Sequence, residues 1–171
     1  MIQIMIRLLM TVLTGIVSIA LMLPSFAEAV VEDTPARAET LVPPPAQLQD
    51  LLIHAISMVG VKYQYGGNSA QSGFDCSGFV RHVFAESLAL ELPRSAYAMG
   101  KLGAHVERGD LQPGDLIFHN TLNRAFSHVG IYLGEDRIVH APSRGKSVEI
   151  VNISESYWKK RYSGARRLVG P

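Results

Sequence analysis

The apolar positions of this chain change pattern several times from one end to the other. Residues 8–24, "LLMTVLTGIVSIALMLP", form an uncharged apolar run with no polar face. Residues 30–47 mix charges, alanines and three consecutive prolines, with no period to bury, and read as a linker stiffened at Pro43-Pro44-Pro45. Over 46–59, Leu48, Leu51, Leu52, Ala55, Ile56 and Val59 recur at helical spacing and predict a helix that Gly60 ends. "VKYQYGGNS" reads as an extended segment running into a turn at Gly66-Gly67. A second helix is predicted from near Cys76, with Phe79, Val80, Val83, Phe84 and Leu88 on one face and Pro93 closing it. After a short helical or irregular stretch at 95–102, the pattern becomes that of strands. "GDLIFH", "HVGIYLG", "RIVHAP" and "SVEIVNI" are short apolar runs separated by Gly, Asn, Asp and Pro, the signature of an antiparallel sheet. Helices come first and strands after, so the predicted class is α+β, with N-terminal helices packed on one side of a C-terminal antiparallel sheet.

The opening apolar run predicts export. Arg7 supplies a positive charge before it, and small residues after it offer cleavage after Ala27 or Ala29. The run holds about 16 residues before Pro24, fewer than the roughly 20 that span a bilayer, so a cleaved signal is expected over a retained anchor. The expected organisation is a signal peptide at 1–29, a Pro-rich linker at 30–47 and one domain at 48–171. The expected location is periplasmic or elsewhere in the cell envelope. A net charge of +1, with no Lys/Arg run longer than a doublet, gives no sign of a nucleic-acid partner.

An exported chain of 171 residues with a single cysteine raises a chemical question, because no internal disulfide can form. Buried structural cysteines are common, but a lone thiol in an oxidising compartment is a liability unless chemistry needs it. Asp75, Ser77 and Gly78 around Cys76 form a helix start. The free first-turn N–H groups and the helix dipole are expected to lower the thiol pKa and to offer donors to an oxyanion.

A cysteine nucleophile needs a base, and six histidines are available. His54 and His82 fall within helices, and His105 lies beside Glu107 and Arg108, so these three read as structural or solvated. His119 ends a strand and also reads as structural. His128 and His140 stand out by their relationship. If Gly134-Glu135-Asp136 is a three-residue loop without a bulge, Leu133 opposes Arg137 and His140 lies across from Gly130. His128 then shares its face one diagonal step away, ~7–8 Å between backbone positions, with Gly130 leaving the space open. A two-residue loop would place the rings on opposite faces.

Taken together, "YQYGGNSAQSGFDCSGFV", "LPRSA", "LQPGDLIFH" and "SHVGIYLGEDRIVHAP" resemble the NlpC family of cell-wall cysteine peptidases, which have a compact papain-like fold. The resemblance runs from about residue 48 to the "YWKKRYSGARRLV" tail. It implies Cys76 as nucleophile, His128 as general base and His140 as the third polar residue. Tyr63 lines the family's site and, with Ser77 and the first-turn N–H groups, is expected to bind the oxyanion. The implied reaction is hydrolysis of amide bonds in peptidoglycan stem peptides, typically between D-glutamate, through its γ-carboxyl, and diaminopimelate or lysine. The D-γ-glutamyl–diaminopimelate bond is expected here, cleaved through a thioacyl-enzyme and without metal or organic cofactor. The expected substrate is peptidoglycan or a released muropeptide. A monomer is expected, targeted by a protein adaptor or by its own groove. Two other readings stay open: a zinc site built from the same Cys76, His128 and His140, and a non-catalytic wall-binding module.

Overall fold

The structure, a computed structural model, describes residues 45–170. The expected signal peptide and all but the end of the expected linker lie outside the described residues. Helix α1 spans Pro45–Ser57, opening on a proline, the residue whose fixed φ and missing N–H suit a first helical position. Leu51 and Ala55 are fully buried, and Leu52 and Met58 pack against them. Ile56 and Val59, expected on this face, are instead 45% and 46% exposed. Ile56 falls beside the 51/52/55 stripe, and the helix has already ended when the chain reaches Val59.

A two-rung hairpin, β1 (Asn68–Ser69) with β2 (Gly73–Phe74), leads into helix α2, Cys76–Leu88. Its buried face carries Phe79, Val80, Val83 and Phe84, as the periodicity predicts. Ala89 ends it in the left-handed region, its N–H bonding back to the Ala85 carbonyl and that of Leu90 to the Phe84 carbonyl. Short helix α3 (Ala96–Met99) and a 3₁₀ turn (Arg108–Asp110) flank β3 (Ala104–Val106).

The remaining chain supplies β4 (Leu116–His119), β5 (His128–Gly134), β6 (Arg137–His140), β7 (Glu149–Asn152), the one-turn helix α4 (Ser156–Lys159) and β8 (Tyr162–Arg167). They form a six-stranded sheet ordered β3-β8-β4-β5-β6-β7, antiparallel at every pair. β8 was not foreseen, yet it lies between β3 and β4. It carries little apolar alternation. Its place is secured by ladder hydrogen bonds and by Arg167, which grips buried Asp115 through two bonds of 2.9 Å.

Strand alternation gives the sheet two buried faces. Leu116, Phe118, Val129, Ile131 and Val139 meet the α1–α2 layer in the main core. Ile117, Tyr132 and Ile138 point the other way, into a smaller cluster closed by Ile153 and Trp158. His119, His128 and His140 fall on this second face by the same alternation, and Trp158 packs against all three rings.

Candidate active site

Cys76 is the first residue of α2, and Asp75 before it is the N-cap. The Asp75 carboxylate accepts from the N–H of Gly78 at 2.7 Å and of Gly66 at 3.0 Å. It also receives two bonds from the Arg94 guanidinium, at 2.9 and 2.7 Å. Burial alone pushes this carboxyl up, but the Arg94 and backbone hydrogen bonds outweigh it and hold it below the usual carboxylate range. Arg94, in the "LPRSA" stretch, and its pairing with Asp75 escaped the sequence reading, because nothing local joins residues so far apart in the chain.

The N-terminus of α2 has four orphan N–H groups to account for. Asp75 takes that of Gly78 with its side chain and donates its own to the Gly67 carbonyl, leaving Cys76 and Ser77. The Ser77 hydroxyl donates to Asp75 at 3.2 Å and accepts from Arg94 at 2.9 Å. Ser77 therefore offers only its N–H to an incoming group.

The expected low thiol pKa is overturned. Burial first, and then the adjacent Asp75 charge, push Cys76 up to about 11, against opposing hydrogen bonds from the backbone of Val129 and Ser77. A helix N-terminus favours a thiolate where water freely reaches it; here Cys76 is partly buried and the cap itself is an anion.

The two histidines meet as the parity reasoning requires, by a different route. The β5–β6 turn has two residues, Glu135 and Asp136, both left-handed with φ of 53° and 56°, as a type I′ hairpin demands. A bulge between Tyr132 and Gly134 then restores the lost residue, so that Ile131 pairs with Val139. The two departures cancel. His128 Nε2 and His140 Nδ1 lie 2.7 Å apart, with the rings perpendicular. Gly130 is needed between them, since a Cβ there would stand 3.1 Å from that of His140.

Burial drives both rings towards neutrality, His128 down to about 4 and His140 to about 2, the latter aided by His128, His119 and Lys146. His119 is fully buried against Trp158 and Tyr162, outside the His128–His140 pair. His54 and His82 sit ring against ring on α1 and α2, and His105 pairs with exposed Glu107, away from this cluster.

Cys76, His128 and Tyr63 line one cavity of about 560 Å³, together with Trp158, Lys146 and Glu149. Tyr63, held by its N–H to the Lys146 carbonyl, has its pKa raised by burial and then by the neighbouring Cys76 and Asp75, so it keeps its proton. Tyr65 is 73% exposed and faces solvent. Trp158 forms the wall behind the rings; as the only tryptophan of the chain it was a signal that could have been used. Among the described residues no group of three His, Cys, Asp or Glu side chains is placed to hold a metal ion, and His140 Nδ1 is already engaged with His128.

The chain that builds this groove is similar to several known proteins. The murein DD-endopeptidase MepS/murein LD-carboxypeptidase of Escherichia coli K12 is 49% identical over 64% of this chain and 57% of its own length. Murein DD-endopeptidase MepH of the same organism is 38% identical over 68% of this chain and 44% of its own. The γ-DL-glutamyl hydrolase of Bacillus subtilis is 44% identical over 64% and 27%, respectively. The chain thus spans about half or less of the length of these relatives. Among solved structures, an NlpC/P60 family protein from Bacillus cereus superposes with a TM-score of 0.68 at 33% identity, over 75% of this chain and 42% of that one. The NlpC/P60 domain of the peptidoglycan hydrolase SagA does so with a TM-score of 0.62 at 26% identity, over 70% of this chain and 97% of that domain. The NlpC/P60 family profile matches residues 60–167, from the end of the first helix through the last strand, and the chain belongs to that family.

Proposed function

We propose that this protein is an exported cysteine endopeptidase that hydrolyses amide bonds in peptidoglycan stem peptides. The observation that carries the reading is the single groove shared by Cys76, His128 and Tyr63, with His128 tied to His140 at 2.7 Å. Cys76 and His128 rest as neutral thiol and neutral imidazole, because burial disfavours both charged forms. As Sγ attacks the scissile carbonyl, its proton passes to the His128 nitrogen not engaged by His140, Nδ1. Charge developing on the carbonyl oxygen is met by the Tyr63 hydroxyl and the N–H groups of Cys76 and Ser77. His128 then gives its proton to the leaving amine, next takes one from the water that cleaves the thioester, and returns it to the departing Cys76 sulfur. His140 holds His128 in the tautomer this sequence requires. No step calls for a metal or organic cofactor.

The proposed bond joins D-glutamate, through its γ-carboxyl, to diaminopimelate; the γ-DL-glutamyl hydrolase among the relatives supports it. A second reading, cleavage between two D-configured centres, is favoured by the names of MepS and MepH. Mass spectrometry of muropeptides after digestion separates them. The first leaves stems cut after glutamate; the second converts crosslinked dimers to intact monomers. The protein acts as a monomer, brought to the wall by an adaptor or by its groove. Cys76→Ser protein that gives the same products at an undiminished rate would overturn both readings.

A further inference from the structure

One polar atom of the histidine pair is left over. If His128 is the base, its Nδ1 must be bare, so its own proton sits on Nε2 and is donated to His140 Nδ1 across the 2.7 Å contact. His140 Nδ1 then accepts, and the single proton of His140 must lie on Nε2. That atom is buried and has no hydrogen-bond partner. A buried N–H without an acceptor is costly, and the cost falls on the one tautomer that the chemistry uses.

An acceptor within reach is Glu149. It stands directly across from His140 in the β6–β7 ladder, and its Oε1 is 3.8 Å from His140 Nε2. That is about 1 Å longer than an N–H···O bond. The Glu149 side chain is 38% exposed at the groove, so it has room to swing inward. Lys146 Nζ holds the same oxygen from outside at 3.5 Å.

We infer that Glu149 is a positioning residue, extending the line Cys76–His128–His140 by one member. It accepts the His140 Nε2 proton and so keeps His140 Nδ1 bare. That in turn fixes the His128 proton on Nε2 and leaves His128 Nδ1 free for the thiol. When His128 takes that proton its ring becomes cationic, and the carboxylate one imidazole away opposes the cost of that buried charge. The inference rests on Cys76 and His128 being nucleophile and base. The groups facing His140 are His128 on β5, His119 on β4, and Lys146 and Glu149 from the β7 side.

The test uses Glu149→Val, which keeps strand propensity but removes the acceptor, and Glu149→Gln, whose amide oxygen still accepts. Glu149→Val is expected to lower kcat about tenfold with KM unchanged, and Glu149→Gln to retain most of the turnover. The second readout needs no substrate: ¹⁵N-detected imidazole spectra should show His140 protonated on Nε2 in wild type and Glu149→Gln. In Glu149→Val the Nδ1-protonated form should appear. Unchanged kcat in Glu149→Val, or equal losses in both variants with the His140 tautomer unmoved, would overturn the inference. Neither result touches the nucleophile, which fails only if Cys76→Ser stays active.

Discussion

The two sides of the groove are built by opposite means. On the cysteine side, polar groups are satisfied several times over: one carboxylate, Asp75, receives two backbone N–H groups, the Ser77 hydroxyl and both arms of Arg94. On the histidine side, orphans remain: His140 Nε2 and both nitrogens of His119 are buried with no partner. There the rings are held by packing, between Gly130 and Trp158, more than by hydrogen bonds. Charge-assisted hydrogen bonds resist displacement but pull neighbouring pKa values, whereas packing positions a ring and leaves its proton free to move. The nucleophile gets a rigid mount and the base gets a dry one. Substitutions on the first side should therefore cost stability, and on the second side turnover or pH tolerance.

The largest expected effect tests the pair that bridges the two sides. Cys76→Ser and His128→Ala should each lower kcat by at least about a thousandfold, and the double variant little further, because nucleophile and base act as a unit. Cys76→Ser should melt near wild type, whereas His128→Ala empties a buried site and should melt lower while staying folded. Since burial holds the His128 pKa near 4, kcat/KM should persist through pH 5 and fall only as His128 takes up a proton near pH 4. An acid limb near pH 6.5 would mean that water reaches the ring and that the contrast between the sides is false.

Next in size is Tyr63. Tyr63→Phe removes one hydrogen bond made mainly in the transition state and should lower kcat by ~10²–10³ with KM and melting temperature little changed. Tyr65→Phe, on a ring already in solvent, should be silent. If Tyr63→Phe turns over normally while Tyr63→Ala melts early, the tyrosine belongs to the packing and not to the oxyanion.

How much of this was readable from the sequence depended on whether the cause was local. The α2 stripe and the cap at Asp75 are set by neighbours within four residues, and they were foreseen. The His128–His140 face was foreseen too, though through a turn and a bulge whose errors cancel; parity survives where loop length does not. The thiol pKa was misjudged because burial of Cys76 depends on what covers it, which no local pattern states. β8 was missed because "YSGARR" is held by Arg167 on Asp115, 52 residues away in sequence, and not by an apolar period.

Arg94 probes the cysteine side. Arg94→Ala leaves Asp75 with its backbone donors but without its counter-charge, while the carboxylate is buried and the guanidinium is 42% exposed. Breaking a fully buried pair costs more, so a loss of about 2 kcal/mol in unfolding free energy is expected, measured by urea denaturation. The depressed Asp75 pKa makes this contribution present above the ordinary carboxylate pKa of 3.8 and lost as pH falls through the lower folded value. The gap between variant and wild type should therefore be full at pH 7 and shrink only in strong acid. A gap that closed near pH 6 would assign the loss to some other group.

The smallest expected effect probes the histidine side, where acid again lowers stability but at milder pH and through an unpartnered imidazole. His119 is buried with both nitrogens unpartnered, and burial, then His128 and Arg108, hold its pKa down at about 3. Below pH 6.5 the unfolded chain binds a proton at this residue and the folded chain does not, so stability falls as pH drops towards 3. At pH 5 this amounts to about 1–2 kcal/mol, and at pH 7 to almost nothing. His119→Phe removes the titration while keeping an aromatic ring against Trp158. Any overpacking of the larger ring shifts stability equally at both pH values, so only the difference between them reports the imidazole. The variant should lose less stability than wild type between pH 7 and pH 5, with turnover at pH 7 unchanged. Parallel losses in the two proteins would mean that His119 already takes up a proton in the folded state, and the histidine side would then be as well solvated as the cysteine side is well bonded.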